Sequence, residues 1–392
     1  MVRMKVLLFA MMLPLASLPA MAGNFVVGTC KPRLTSFATI SAAVTSVPPG
    51  STIQVCPGVY PEQVTISQPL TLVGIASGNQ DQVLITVPPT GLTANVTSIF
   101  SEPVAAQVLV LSPGVEITNI GVDGTGGDQA CSTSNIWLAG IFFASGSSGE
   151  VERVRASGQV DEGCGVGIWA ENGDATNRFV SIHDSSVHDV DAVGIFAGSG
   201  ATPTLSAFIR NNVVSMNFGP VGIQVNGNSG VVSQNIVSDA LAGIFDVAAS
   251  VRASSNTITS ASFGILNLLG GGTVQNNDIS NAGYGVYLAA EGSTVHSNRI
   301  TSASVAAIEF NCVSATVSHN SINDATIGLD LVPTGFHGSN SFANTGTIST
   351  DGCGPTPLAA TAVRSQLRVV APSGTFSPQQ WRTPANPHGQ PK

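Results

Sequence analysis

The sequence predicts an all-β chain wound as a single parallel β-helix, and three observations point there. Asn recurs at Asn235, Asn256, Asn277, Asn298 and Asn320, in steps of 21, 21, 21 and 22. Each is followed two positions later by an aliphatic residue, and eight or nine later by Gly-Ile or a close equivalent. The Gly-Ile column runs back through Ile244, Ile223, Ile195, Ile168 and Ile141, and forward through Ile265, Val286, Ile308 and Leu329. Only 9% of the 392 residues are charged, while Gly alone contributes 43. A period near 21 is too short for a helix pair or a propeller blade and fits one rung of short strands joined by tight turns.

The N-terminus carries a secretory leader over 1–22. Arg3 and Lys5 precede an apolar run from Val6 to Leu18, and Ala20 and Ala22 precede Gly23. The mature chain has no apolar span of membrane length, so a secreted or periplasmic protein is expected. Next comes a capping helix within Thr35 to Val47, with Ser36 as N-cap and Phe37, Ile40 and Val44 on one face. Short extended runs in STIQVCPGVY, PEQVTI and PLTLVGI begin the coil.

The coil itself spans 23–352 as one domain, since a solenoid grows by stacking. Earlier rungs, with Gly-Ile steps of 27, 27 and 28, carry insertions of about six residues relative to the 21-residue period. Val232, Val274, Val295 and Val317, with Val237, Ile258, Ile279, Ile300 and Ile322, form inward aliphatic stacks. The Asn between them sits at a turn, where it tolerates left-handed backbone and hydrogen-bonds its equivalents above and below. Beyond the coil, 353–392 is Pro-rich and lacks the repeat; it reads as a disordered tail that includes Trp381.

Six cysteines fit an oxidising compartment, and their grouping suggests three local bridges: Cys30 with Cys56, Cys131 with Cys164, and Cys312 with Cys353. No cysteine pair has zinc spacing. A net charge of −9 without a basic run makes nucleic acid an unsuitable partner.

STIQVCPGVYPEQVTISQPLTLVGI resembles the opening coils of right-handed β-helix proteins of the pectin-lyase-like superfamily, and the repeat pattern continues to about residue 345. The resemblance implies a right-handed coil and a polysaccharide as partner. It implies no particular reaction, because the superfamily includes lyases, hydrolases, esterases, epimerases and non-catalytic binders. The motifs of pectinesterases, polygalacturonases and pectate lyases are not found in this chain.

Two groups of residues are candidates for function. Of the 23 acidic residues, 12 fall between Glu116 and Asp191, in the rungs with insertions. Within them Asp161, Glu162, Asp184 and Asp189 are candidate acid, base or nucleophile for glycosidic cleavage. Alternatively Asp161, Glu171 and Asp174 hold calcium, for β-elimination or for stiffening loops; solvated loop charge is the third option. The second group is the residue after each Gly-Ile, expected to point outward: Phe142, Trp169, Phe196, Phe245 and Tyr287, interrupted by Gln224 and Leu266 and followed by Glu309 and Asp330. Exposed, these aromatics would make a platform for sugar rings; cover by the chain's own loops or by a second chain are the alternatives. The favoured function is polysaccharide binding, followed by a lyase or glycoside hydrolase and then a non-catalytic scaffold.

Overall fold

The computed structural model describes residues 21–353, apart from 76–81, 201–204, 218, 228, 248–249, 269–270, 290, 334–335, 337 and 351–352. The expected leader, except for its last two residues, and the expected tail, except for Cys353, lie outside the described residues.

The chain winds as a parallel β-helix with three faces. A 13-stranded sheet forms the first, called here the A face, and a 20-stranded sheet bends along its length to supply the B and C faces. Pairing is parallel throughout, except where Val96–Thr97 runs antiparallel to Pro103–Val110. A representative rung runs along the A face as Val251–Ser254, then along B and C as the single strand Thr257–Asn267.

Two residues per rung turn the corners. At the A-to-B corner Gln234, Ser255, Asn276, Ser297 and His319 have φ of 56° to 59°; at the B-to-C corner Asp239, Ser260, Asn281, Ser302 and Asp324 have φ of 53° to 58°. The left-handed backbone expected of the repeating Asn therefore belongs to the residue before it. This releases the Asn side chain to point along the coil axis.

There the amides form a continuous ladder, Asn212, Asn235, Asn256, Asn277, Asn298, Asn320 and Asn340. Each Nδ2 donates to the Oδ1 of the next Asn at 2.9–3.0 Å, and that Oδ1 also accepts the backbone N–H of the first Asn. The second Nδ2 hydrogen goes to a main-chain carbonyl, as from Asn277 to Ala253 at 3.1 Å. Ser185 heads the column, donating its N–H to Asn212. Ser185, rather than the neighbouring Asp184, thus holds the ladder position of its rung.

Inside the coil, the Val and Ile columns pack as anticipated: Val232, Val274, Val295 and Val317 and Val237, Ile258, Ile279, Ile300 and Ile322 are all buried in one cluster. Burying each contributes ~1.5–3 kcal/mol. The Gly of Gly-Ile is required by space. A Cβ on Gly285 would lie 2.5 Å from the Ala307 carbonyl oxygen and 2.6 Å from Ile300 Cγ2. Ala307 replaces this Gly one rung later, and there the register shifts between Ala303 and Ala306. That extra residue is the physical origin of the single 22-residue step.

The capping helix is Ile40–Ser46, shorter than expected. Thr35–Phe37 is a strand, and Thr39 rather than Ser36 is the N-cap, accepting the Ala42 N–H at 3.1 Å. The Glu62 carboxylate accepts the Ile40 and Ser41 N–H groups at 2.9 and 2.8 Å, where it also meets the positive end of the helix. Ile40, Ala43 and Val44 close the end of the core. Disulfides join Cys30 to Cys56, Cys131 to Cys164 and Cys312 to Cys353. No helix among the described residues is long and apolar enough to cross a membrane.

Replacing Asn277 by Ala orphans the Asn256 N–H and one of its two Nδ2 hydrogens and strips donors from Ala253 and Asn298. The expected loss in a denaturant melt is about 3 kcal/mol or more, against about 1 kcal/mol for Asn340→Ala at the wetter end of the ladder.

Candidate functional site

The outward column after Gly-Ile exists in the register predicted, with Phe142, Trp169, Phe196, Gln224, Phe245, Leu266, Tyr287, Glu309 and Asp330 paired rung to rung on the C face. Of the readings open for this column, an exposed platform or one covered by the chain's own loops or by a second chain, the first does not hold. Phe142, Trp169, Phe196 and Phe245 are at most 2% exposed and Tyr287 is 7% exposed. They belong to a second apolar cluster outside the coil, together with Val104, Trp137 and the Cys131–Cys164 pair.

Over the early rungs the cover includes the segment between Val96–Thr97 and Pro103–Val110. Phe100 meets the Phe196 ring edge-on at 5.9 Å, and the Ile99 N–H donates to Glu171 Oε1 at 2.9 Å. Large aromatic side chains on a sheet face lose more by hydration than a loop loses by ordering over them, so the stripe became a core. The open platform does not form at these five residues.

An aromatic shelf forms one column away. The residue before each Gly also faces outward, and at two successive rungs it is Phe263 and Tyr284. Their rings stack 5.2 Å apart at 6°, both half-buried, with Tyr287 edge-on to each at 5.5 Å. Glu309 and Asp330 follow Tyr287 in the next two rungs of its column. Burial, then a hydrogen bond with Asp330 and the charge of that group, push the Glu309 carboxyl up to about 8. Glu309 thus holds a proton at neutral pH and donates it to Asp330. Asp330 Oδ1 also accepts the Leu331 N–H at 3.0 Å and the Thr350 hydroxyl. Burial, then Glu309 and Tyr284, raise the Tyr287 phenol to about 12, so it stays a neutral donor.

This arrangement supplies a flat apolar surface beside a protonated carboxyl and a fixed acceptor. Hydrogen-bonded carboxyls lie closer than the roughly 5–9.5 Å that separates the two carboxyls of glycosidases. Glu309 and Asp330 therefore form one acid–base unit on one side of a ligand. The signal for the shelf was present in SFGIL and GYGVY, three residues upstream of the column chosen.

The acidic residues singled out from the sequence are dispersed. Asp161 Oδ1 accepts the Gln129 and Cys131 N–H groups at 3.0 and 3.2 Å, and burial, with the Asp128 carboxyl beside it, raises it to about 7. Glu162 accepts the Ser132 N–H at 2.9 Å. Both serve the B-to-C insertion loops. Asp184, at the A-to-B corner, bonds His183 Nδ1 at 2.7 Å. Asp189, at the B-to-C corner, bonds His188 Nδ1 at 2.7 Å and accepts from Asn217 at 2.9 Å. The last pair lines a cleft of about 420 Å³ on the B face with Asp123, Thr125, Arg155 and Ser157. The four residues do not converge on one reacting atom.

Asp161, Glu171 and Asp174 are likewise apart. Glu171 is buried under Ile99, and burial raises its carboxyl to about 8; Asp174 pairs with Arg178 at 2.9 Å, which holds it low. Among the described residues the group with metal-ligand proximity is instead Glu152, His183 and Asp184. Its His183 ring is already bonded by Glu150 and Asp184, whose hydrogen bonds and charges outweigh burial and raise its pKa. An imidazole whose two ring nitrogens are already engaged by carboxylates does not suit calcium, which takes oxygen ligands.

The family model described as a right handed beta helix region matches residues 120–279. No curated protein matches in sequence. Among solved structures, the chain is similar to a GH136 lacto-N-biosidase from Eubacterium ramulus, with 13% identity, a TM-score of 0.61, and coverage of 82% of this chain and 68% of the other. The selenomethionine derivative of that enzyme gives 10% identity, a TM-score of 0.53, and coverage of 83% and 68%. The A-module of a mannuronan C-5 epimerase from Azotobacter vinelandii aligns at 16% identity with a TM-score of 0.46, over 81% of this chain and 92% of the other.

Three buried carboxyls that keep their protons give a signed pH prediction. Asp161, Glu171 and Glu309 have folded pKa values of about 7, 8 and 8, above the ordinary 3.8, 4.5 and 4.5. Their contribution to stability is complete below pH ~4 and declines as pH rises to about 8, because the unfolded chain releases these protons first. Melting temperature should fall between pH 5 and pH 8.5, and Glu309→Gln should flatten part of that slope.

The chain is a right-handed parallel β-helix protein.

Proposed function

We propose that the protein is a secreted or periplasmic carbohydrate-binding β-helix whose glycan lies on the C face, one sugar ring against Phe263 and Tyr284 and its hydroxyls toward Asp330 and Glu309. The observation that carries this reading is the half-buried ring stack beside the carboxyl pair. A sugar presents an apolar C–H face and a rim of hydroxyls, and the shelf and the pair match these two halves. Phe142, Trp169, Phe196, Phe245 and Tyr287 then act as the foundation of the site, with Tyr287 its rim.

The Glu309–Asp330 pair shares one proton and keeps one negative charge, which repels a uronate, so a neutral glycan is the better match. The likeness to a lacto-N-biosidase supports carbohydrate as the ligand class. Hydrolysis is the second reading, favoured by Glu309, which holds the proton that a leaving sugar oxygen needs. The three disulfides and the leader-like N-terminus support export.

The test is a pull-down and array of neutral and uronate-containing glycans with purified protein, with and without calcium, followed by an assay for new reducing ends. Binding of a neutral glycan should weaken about tenfold in Tyr284→Ala, ~1.4 kcal/mol. Glu309→Gln should abolish any new reducing ends while leaving binding within a few-fold. Binding that survives Tyr284→Ala unchanged, or that prefers uronates, would sink the placement.

A further inference from the structure

The A face carries a charge pattern that is complementary to itself. One outward column, followed rung by rung through the strand register, reads Glu116, Glu150, Ser181, Phe208, Val231 and Arg252. Phe208 is 47% exposed, and Phe179, one strand earlier on the same face, is 53% exposed. Aromatic rings of this size standing out of a flat sheet among Ser and Thr are unusual for a face that meets only water. Glu150 lies two rungs before Phe208 and Arg252 lies two rungs after it.

We infer that the A face is the interface of a homodimer, in which two coils pack antiparallel about a two-fold axis that runs along the strands through the rung of Phe208. That operation exchanges rungs at equal distances on either side of the axis and keeps position along the strand. Glu150 of each copy then faces Arg252 of the other, and the Phe208 side chains meet at the centre. The arrangement is isologous and closed, so it stops at two chains. It has the anatomy of an interface, with aromatic anchors in the middle and charges at the rim.

Arg210 ends the axial strand, and there the two copies bring like charges together. Asp184, which stands one rung away with an exposed carboxylate, offsets this. The faces overlap over eleven rungs at ~4.8 Å, and strands of four to five residues at ~3.3 Å make them roughly 15 Å wide. The result is on the order of 800 Å² a side, about that of a standard interface. Area alone does not set affinity, and with few aromatic anchors over this face the dimer is concentration-dependent, the ion pairs fixing register more than affinity.

Sedimentation velocity of the purified protein from roughly 1 to 100 μM, at low and at high salt, tests this. The wild type should shift from monomer toward dimer across that range, less so at high salt. Phe208→Ser should remain monomeric. Arg252→Glu and Glu150→Arg should each weaken association at least tenfold, and the double variant carrying both should recover to within about threefold of wild type. Because Glu150 also bonds His183, a melting curve accompanies each variant, and the Arg252→Glu and Phe208→Ser arms decide the question if Glu150→Arg does not fold. A wild type that stays monomeric at the highest concentration overturns the inference. So does a Phe208→Ser protein that associates as well as wild type, or a folded double variant no better than its parents.

Discussion

Hydrogen bonding from one rung to the next at the A-to-B corner is the constraint on which the rest of this molecule depends. Parallel strands slip easily when both faces look alike, and a slip of one residue would turn every side chain from inside to outside. The Asn ladder prevents this, because an amide that donates to the amide above and accepts from the amide below has only one register in which all its groups are satisfied. From Asn212 to Asn320 each Asn is buried, so a broken link there leaves orphaned donors where water cannot reach them. The left-handed residue before each Asn bends the backbone, and the Asn locks the bend to its neighbours.

With register fixed, the outer faces become columns whose content is free to vary, and the two halves of the coil have used that freedom differently. Rungs before Asn212 carry insertions at the B-to-C corner, and those loops lack a ladder of their own. Carboxylates replace it. Asp191 accepts the N–H groups of Asp161, Gly163 and Gly165 at 2.8 Å each, Asp161 accepts two more from the preceding loop, and Glu162 accepts another. The concentration of acidic residues between Glu116 and Asp191 therefore owes much to the backbone donors of the inserted loops. Later rungs have tight corners and need no such staples.

The sequence made the fold legible because the period, the Val and Ile columns and the Gly all express one requirement, stacking of identical rungs. The outward column was also read in correct register. What could not be read was cover. Alternation places Phe142 and Trp169 outside the coil, yet whether outside means solvent depends on a segment around Ile99 and Phe100, 42 or more residues earlier in the chain, and on where it lies across the C face. The same limit hid the shelf: Phe263 and Tyr284 differ from the buried aromatics in what lies over them, which no local pattern encodes. Asp161 and Asp184 were attractive because they are dense in sequence, but successive corners of a rung point in different directions. Density along the chain is not convergence in space.

The contrast between Glu309 and Asp161 shows what separates a carboxyl available for chemistry from one spent on structure. Both are buried and both keep a proton near neutral pH. Asp161 directs one oxygen at two backbone donors of a disulfide-linked loop, so moving its proton disturbs a loop. Among the described residues Glu309 accepts the Asn311 N–H, at 3.3 Å, and its proton is held by a second carboxyl that has its own fixed partners. A proton shared between two side chains can leave toward a ligand without any backbone hydrogen bond breaking, because Asp330 remains anchored by Leu331 and Thr350. The regular rungs, which need no carboxylate for their own corners, are where such a pair can persist.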